Sequence, residues 1–377
     1  MNPILEKMRV YLLIALGTLL FPILLFPRRK NKQMRVLVYP QLTRLGDLIS
    51  ATPVLRALKE YDENVHVAVA VSPKTAGILI HHPLVDELLI LENEEYLSFF
   101  GIFRFFKKVR DGHFDWGFNI AASTLGTLSL LFGGVSRRVK ITRSGRPLSE
   151  QLSDWMNSVC VPHTDGEYLP ELYVRTVAAL GVPAPSEIRK EVGIHNSDEE
   201  AVEKIFARER VPVNATLIGI GVSAGNAIKE WPVERFAELA RQVSLIDENY
   251  HFVFIGTEAD RGKVAIARAH VQGRSTAILD VPLQQLPALI KRFALYIAAD
   301  SGPIHIAEAV GTPLIDIAGP VASYELSPRG NRAVVLTPAG IEPSVFAFRE
   351  SGSVEEARLV AEAIPVDVVL DAVKQLL

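Results

Sequence analysis

The run from 294 to 320, ALYIAADSGPIHIAEAVGTPLIDIAGP, constrains this chain more than any other. Leu295 to Ala299 reads as an apolar strand that breaks into the polar turn Asp300-Ser301-Gly302. A short helix opens at once, carries His305 and closes at Gly311, and a second apolar strand runs from Pro313 to Ala318. Strand, loop, helix and strand in so few residues make one unit of a parallel sheet, with its polar groups at the carboxyl end of the strand. That edge is where open α/β sheets bind ligands. A helix N-terminus there offers unpaired N–H groups and partial positive charge, which suit a phosphate. Taken alone, the run fits an ordinary βα turn made of small residues equally well.

The pattern recurs upstream. Leu217 to Val222 runs into Ser223-Ala224-Gly225-Asn226-Ala227-Ile228-Lys229-Glu230-Trp231-Pro232, and Pro232 suits the first turn of a helix reaching Val243. His251 to Ile255 ends in Gly256-Thr257-Glu258-Ala259-Asp260, and a further passage ends in Asp280-Val281-Pro282. Four consecutive strand ends with small or polar loops line one crevice of a doubly wound sheet, which points to a nucleotide. Gly225 and its neighbours suit the approach of backbone N–H groups to a pyrophosphate. Lys229 supplies a mobile cation, and Glu258 can accept from ribose hydroxyls. Ser301 and Gly302 face the diphosphate with the helix that follows them. No Gly-x-Gly-x-x-Gly follows a strand and no P-loop is present, which disfavours dehydrogenases and nucleoside triphosphatases. No Asp-x-Asp pair offers ligands for a metal on the diphosphate.

With 377 residues, two domains are expected. Pro183, Pro185 and Ser186 mark a linker, giving domains at 34–185 and 186–350, with C-terminal helices at 351–377. The first domain reads as strand Arg35–Tyr39, a loop to Asp47, and a helix to about Tyr61 bent at Pro53. Strand His66–Val71, helix Pro73–Ile80 and strands Glu87–Leu91 and Trp116–Ala121 follow, and Ser197-Asp198-Glu199-Glu200 reads as a capping box. Asp47 lies after a strand, beside Gly46 and at a helix start. It reads either as a general base or as a carboxylate steadying the first turn. Residues 96–110 set Phe99, Phe103 and Phe106 at helical spacing among basic residues. They suit a membrane-surface helix, part of an acceptor site, or a helix packed on the core. Ser136 to Arg146 holds five basic residues, which fit an anionic partner or a solvated loop.

Val10 to Phe26 is 17 residues without a charge, preceded by Lys7 and Arg9 and followed by Arg28, Arg29, Lys30, Lys32 and Arg35. The length sits at the short edge for a spanning helix, and no small-residue cleavage motif follows it. The expectation for 1–33 is a hydrophobic anchor contacting inner-membrane lipids through residues 10–26. The heavier positive flank places the remainder in the cytoplasm. Pro22 leaves an interfacial helix open, and a helix docked on its own protein passes the same test. Net charge −3 gives no case for a nucleic-acid partner, and the single cysteine, Cys160, excludes a disulfide framework.

The order and spacing of Arg44-Leu45-Gly46-Asp47, Lys229-Glu230-Trp231-Pro232, Gly256-Thr257-Glu258, Asp300-Ser301-Gly302-Pro303-Ile304-His305 and Gly319-Pro320 resemble glycosyltransferase family 9, the ADP-heptose:lipopolysaccharide heptosyltransferases and relatives. The resemblance spans about Met34 to Pro328. It implies an α/β fold of GT-B type, two Rossmann-like parallel-sheet domains facing across a cleft, acceptor on the first and nucleotide-sugar on the second. It implies inverting transfer without a metal, from a nucleotide-sugar such as ADP-heptose to a lipid-linked or lipopolysaccharide acceptor. By the same resemblance Asp47 looks like the catalytic base, Lys229 the diphosphate lysine and Glu258 the ribose acid. Asp300 matches an acid near the donor sugar. Ser301, Gly302 and His305 match the phosphate-side loop, and Val281 would lie by the nucleobase. Ala224 and Gly225 complete the donor side, while Arg44, Arg137, Arg138 and Lys140 are the acceptor-side candidates. The N-terminal hydrophobic segment is extra to the family pattern, and the C-terminal tail lacks the cysteine seen in many members.

Overall fold

The computed structural model describes residues 3–24, 33–98, 100–349 and 354–377. The chain divides into two compact units, Met1–Arg189 and Lys190–Leu377, four residues beyond the expected linker.

The first unit holds β1 (Arg35–Tyr39), β2 (His66–Val71), β3 (Glu87–Ile90), β4 (Trp116–Asn119), β5 (Arg137–Thr142) and β6 (Val159–Pro162). They form one wholly parallel sheet in the order β3-β2-β1-β4-β5-β6. Val36 to Tyr39 and Val67 to Val71 are all buried. Such unbroken apolar runs are what a parallel strand covered on both faces requires.

The second unit holds β7 (Thr216–Gly221), β8 (Tyr250–Gly256), β9 (Ser275–Leu279), β10 (Leu295–Ala299), β11 (Leu314–Ile317) and β12 (Ala333–Leu336). Its sheet, also parallel, runs β12-β11-β10-β7-β8-β9. Counted from the unit's own first strand, this is the same winding as in the first unit. Two doubly wound sheets in sequence are the expected GT-B-like α/β organisation. The winding direction reverses between β1 and β4 in one unit and between β7 and β10 in the other, and the loops outside these strand ends are where ligands collect.

Several local expectations change. The helix expected to Tyr61 is two, Leu45–Ser50 and Thr52–Tyr61, with Pro53 in the first turn of the second, where its missing N–H costs nothing. The expected 73–80 helix is a single 3₁₀ turn, Ala76–Leu79. The capping box starts two residues earlier, with His195 as the cap and Asp198 accepting its backbone N–H at 3.0 Å. Residues 96–110 break into the helices Asn93–Leu97 and Gly101–Asp111. Phe106 is buried and stacks on Phe132 with ring centroids 4.9 Å apart, so this stripe belongs to the core; Phe99 lies outside the described residues. The basic run 136–146 is no solvated loop: its first half is β5, and Arg138 and Lys140 are buried in it.

The C-terminal helix Val366–Leu376 completes the second unit's core, where Val369 and Val373 join Phe236, Phe252 and Trp231. The Trp231 indole N–H donates to the Ile364 carbonyl at 2.9 Å. The N-terminal helix Pro3–Leu24 is likewise docked on its own unit, with Leu13 and Ile14 in the same core as Leu128 and Leu131. Residues 25–32, including Phe26 and the basic flank, lie outside the described residues.

Candidate functional site

At the reversal point of the second unit, β7 ends at Gly221 and β10 at Ala299, paired in parallel. The loop after β7 closes in a 3₁₀ turn, Ala227–Lys229, whose cap Asn226 accepts from the Ile228 N–H. That turn brings the Lys229 ammonium 2.7 Å from Asp300 Oδ2, at the end of β10. Lys229 keeps 20% of its side chain exposed, whereas Asp300 keeps 4%. Asp300 Oδ1 is buried with no hydrogen-bond partner among the described residues. The neighbouring residues of the loop brace the turn. Glu230 holds Lys263 at 2.7 Å and faces the Ala224 N–H at 3.4 Å, while Trp231 is anchored in the core. Gly225 has open space where a Cβ would stand, with nothing within 4 Å beyond its chain neighbours.

The helix Gly302–Val310 starts directly after Asp300, with Ser301 extended as its cap and Gly311 ending it in the left-handed region. The Ser301 side chain makes no capping bond, and Pro303 in the first turn has no N–H to leave unpaired. His305 is buried behind this start. Its Nδ1 lies 3.0 Å from the Lys190 ammonium, and Lys190 also pairs with Glu308 Oε2 at 2.7 Å. Burial, then the Lys190 charge, holds His305 below its ordinary value, so the neutral ring accepts from Lys190. His305 therefore stands behind the start of this helix with its Nδ1 holding Lys190.

Three groups here escaped the sequence reading: Lys190, Glu308 and Asp316. Asp316 sits inside β11 opposite Ala298, fully buried. Neither of its carboxyl oxygens has a hydrogen-bond partner among the described residues; Ser327 faces it without closing a bond. An acid hidden between Ile315 and Ile317 looks like part of an apolar strand, so periodicity alone could not mark it.

The outer loops bear Glu258 and Val281. Glu258 is exposed and chelated by Arg261, with its backbone N–H given to Asp280 Oδ1 at 3.0 Å. The Arg261 hydrogen bonds hold the Glu258 carboxyl below the ordinary range. Asp280 adopts a left-handed φ of 53°, and this places its side chain under the Glu258 amide, immediately before Val281. The β8 and β9 ends are thereby tied together.

In the first unit the reversal point joins the loops after β1 and β4. Asp47 lies in the first turn of Leu45–Ser50, 12% exposed, with Arg44 at 4.0 Å. Burial first, then the charge of Asp47, drives the Tyr173 phenol well above its ordinary value, so the carboxylate sits against a neutral phenol. Gln41 from the β1 loop donates to the Ala121 carbonyl in the β4 loop at 3.2 Å. Asn119, at the end of β4, donates to the Ser123 carbonyl and Thr127 hydroxyl, and Ala122 takes a left-handed φ of 58°.

The acceptor-side basic candidates separate. Arg44 is exposed beside Asp47, and Arg137 is exposed at the start of β5. Arg138 and Lys140 are withdrawn from that role. Arg138 donates to the Met156 and Val135 carbonyls, and Lys140, with no exposed side chain, donates to Glu150, Ser153 and Asp154. A buried lysine already supplied with three acceptors has no donor left for a ligand. Among the described residues, no three or more His, Cys, Asp or Glu side chains gather in a way that could hold a metal ion.

Residues 102–345 match the model of glycosyltransferase family 9 (heptosyltransferase). The lipopolysaccharide core heptosyltransferase OpsX of Haemophilus influenzae is 24% identical over 295 residues, covering 74% of this chain and 77% of its own length. Lipopolysaccharide heptosyltransferase 3 of Escherichia coli is 26% identical over 286 residues, covering 73% and 80%. Among solved structures, the glycosyl transferase family 9 protein of Veillonella parvula superposes with a TM-score of 0.77 at 20% identity, over 93% of this chain and 99% of that one. The E. coli ADP-heptose LPS heptosyltransferase II gives 0.73 at 20% identity, over 91% and 98%. The solved structures agree with the paired parallel sheets, and the sequence match runs from the helix before β4 to the segment after β12. This chain belongs to glycosyltransferase family 9, the heptosyltransferases.

Proposed function

We propose that this glycosyltransferase moves heptose from ADP-heptose onto a lipopolysaccharide core or a related envelope glycan, with inversion and without a metal, at the cytoplasmic face of the inner membrane. The relatives' printed activities support the donor and acceptor classes. The observation that carries the chemistry is the pairing of Lys229 with Asp300 at the second unit's reversal point.

In this reading the diphosphate takes Lys229 as its counter-ion, beside the N-terminus of Gly302–Val310 and the backbone around Ala224 and Gly225. Asp300 holds the lysine in place before the donor arrives. Its unpartnered Oδ1 offers an acceptor for a hydroxyl of the donor sugar. Lys229 and the helix start stabilise the charge that grows on the leaving nucleoside diphosphate. Glu258 receives ribose hydroxyls and Val281 borders the base. On the first unit Asp47 takes the proton of the acceptor hydroxyl as its oxygen attacks the anomeric carbon. Arg44, beside Asp47, is an exposed cation available to an anionic acceptor, whereas Arg137, at the amino end of β5, lies on the opposite edge of the sheet.

The test is transfer of radiolabelled sugar to a lipopolysaccharide core acceptor from a panel of ADP-, UDP- and GDP-sugars, with chelator and then with magnesium. Product from ADP-heptose alone, unchanged by chelator, supports the reading. Product from a UDP- or GDP-sugar keeps the family and replaces the donor. Loss of product with chelator removes the metal-free step.

A further inference from the structure

From Val10 to Leu24 the N-terminal helix carries no charge, yet it is buried on one side only. Arg9, Leu13, Ile14 and Gly17 face inward. A Cβ on Gly17 would stand 3.3 Å from Leu131 and 3.5 Å from Leu128 and Met156, so the helix packs close against Thr124–Phe132. Arg9 donates to the Tyr96 carbonyl at 2.7 Å, and the Phe21 ring lies 4.7 Å from Trp155. These contacts fix which side points out. Met8, Tyr11, Leu12, Leu19 and Ile23 are 62%, 41%, 56%, 75% and 67% exposed. They recur at helical spacing, and from Met8 to Leu24 the only charge is Arg9, turned inward.

The exposed face does not end with this helix. The neighbouring segment 148–155 adds Leu148, Leu152 and Trp155, at 57%, 42% and 50%. Two elements distant in sequence thus turn apolar side chains outward beside each other. A spanning orientation conflicts with the docking. It would carry to bilayer depth the elements packed along the helix, with the Arg143–Glu150 and Arg146–Asp154 ion pairs beside them, and charges there are costly. A helix lying in the interface keeps every contact and immerses only the outer face. The chain supplies the charge for an anionic surface: Lys7 precedes the apolar stretch, and Arg28, Arg29, Lys30 and Lys32 follow it. Tyr11 and Trp155 are residue types that favour the headgroup level.

We propose that the outer face of Pro3–Leu24, together with Leu148, Leu152 and Trp155, is one lipid-facing surface that seats the first unit on an anionic bilayer with the helix in the membrane plane. This deepens the membrane-associated part of the proposed function and rests on it for the partner class; it is independent of the donor chemistry.

The experiment uses the full chain in a Cys160→Ser background, since Cys160 is exposed and the only cysteine. Single substitutions Leu12→Cys, Leu19→Cys, Ile23→Cys, Leu148→Cys and Leu152→Cys carry an environment-sensitive fluorophore. Vesicles of phosphatidylethanolamine and phosphatidylglycerol are added, with lipid-borne quenchers at graded depth. All five sites should shift to the blue and report one shallow depth. A depth that varies from Leu12 through Leu19 to Ile23, with 148 and 152 still in water, overturns the in-plane surface in favour of a spanning helix. Blue shifts already present without vesicles, in a chain that sediments as a dimer, overturn it in favour of a second copy. No shift on adding vesicles also overturns it. The triple variant Leu12→Glu, Leu19→Glu, Ile23→Glu should lose vesicle flotation at least tenfold while ADP affinity stays unchanged, which separates this failure from failure of the enzyme reading.

Discussion

Asp300, at the end of β10, and Asp316, on the neighbouring β11, project from the same face of the second sheet and differ in protonation, one ionised and the other neutral. Strand alternation places Asp300 two positions beyond Ala298, the partner of Asp316. Burial raises the Asp300 carboxyl, but the charge and hydrogen bond of Lys229, with the charge of Lys190, outweigh it and hold the group ionised, below its ordinary value. Burial, then the charge of Asp300, pushes Asp316 well above its ordinary value and keeps it protonated. Two carboxyls driven apart in this way divide the work between a fixed anion and a neutral acid.

This separation makes stability depend on pH. A carboxyl raised in the folded state binds a proton that the unfolded chain has already lost, so its contribution is complete below the ordinary carboxyl value. It drains away as pH climbs toward the folded value. Asp316→Asn removes the titration. Measured by denaturant unfolding, the variant should gain on the parent by up to about 1.4 kcal/mol for each pH unit above the ordinary carboxyl range. A difference that stays flat between mildly acidic and mildly alkaline pH would refute the protonated state.

Lys229→Ala should weaken ADP binding by roughly 1–3 kcal/mol, the scale of one charge-assisted contact. The same change leaves Asp300 buried beside fewer cations, so thermal stability should fall as well. Calorimetric titration and thermal unfolding of the one variant read both. Unchanged ADP affinity with a lowered melting temperature would make the pair structural only.

Asp47→Asn keeps the size of the side chain and removes the base. The expected outcome is transfer below one part in a hundred of the parent, the scale of a lost general base, with ADP affinity unchanged because Asp47 lies on the other unit. Residual turnover near the parent level assigns the proton to another group.

The repeated strand-and-loop rhythm was legible because parallel strands with both faces covered are continuous apolar runs, as at Arg35–Tyr39 and His66–Val71. The Lys229 and Asp300 loops were legible because small and polar residues interrupt such runs abruptly. Burial of charge was not legible. Lys140 looks like a surface lysine until Asp154, far along the chain, is folded against it at 2.8 Å. Lys190 looks like part of a polar linker until His305 and Glu308 arrive from the site helix. Asp316 is hidden by its apolar neighbours. For the two lysines the partner lies beyond the reach of a local pattern, 14 residues away for Lys140 and 115 or more for Lys190. The helix expected at 73–80 is shorter than its eight residues, a single 3₁₀ turn at Ala76–Leu79.

The reversal loop of the first unit offers a test of packing in the same spirit. Asn119 is fully buried, and its amide binds the Ser123 carbonyl and the Thr127 hydroxyl, which joins the end of β4 to the helix that follows. That arrangement leaves no room at Gly126, where a Cβ would stand 2.4 Å from Asn119 Oδ1. Gly126→Ala should therefore destabilise the first unit by about 1–3 kcal/mol, the usual cost of overpacking, despite the better helix propensity of alanine. The double variant Gly126→Ala, Asn119→Ala relieves the clash and loses the bridge. A double-mutant cycle read by chemical unfolding should then show the two changes costing less together than their separate costs added, by 0.5 kcal/mol or more on the usual scale for residues in contact. Additive losses would mean that Asn119 moves aside freely and that the loop is not held by this contact.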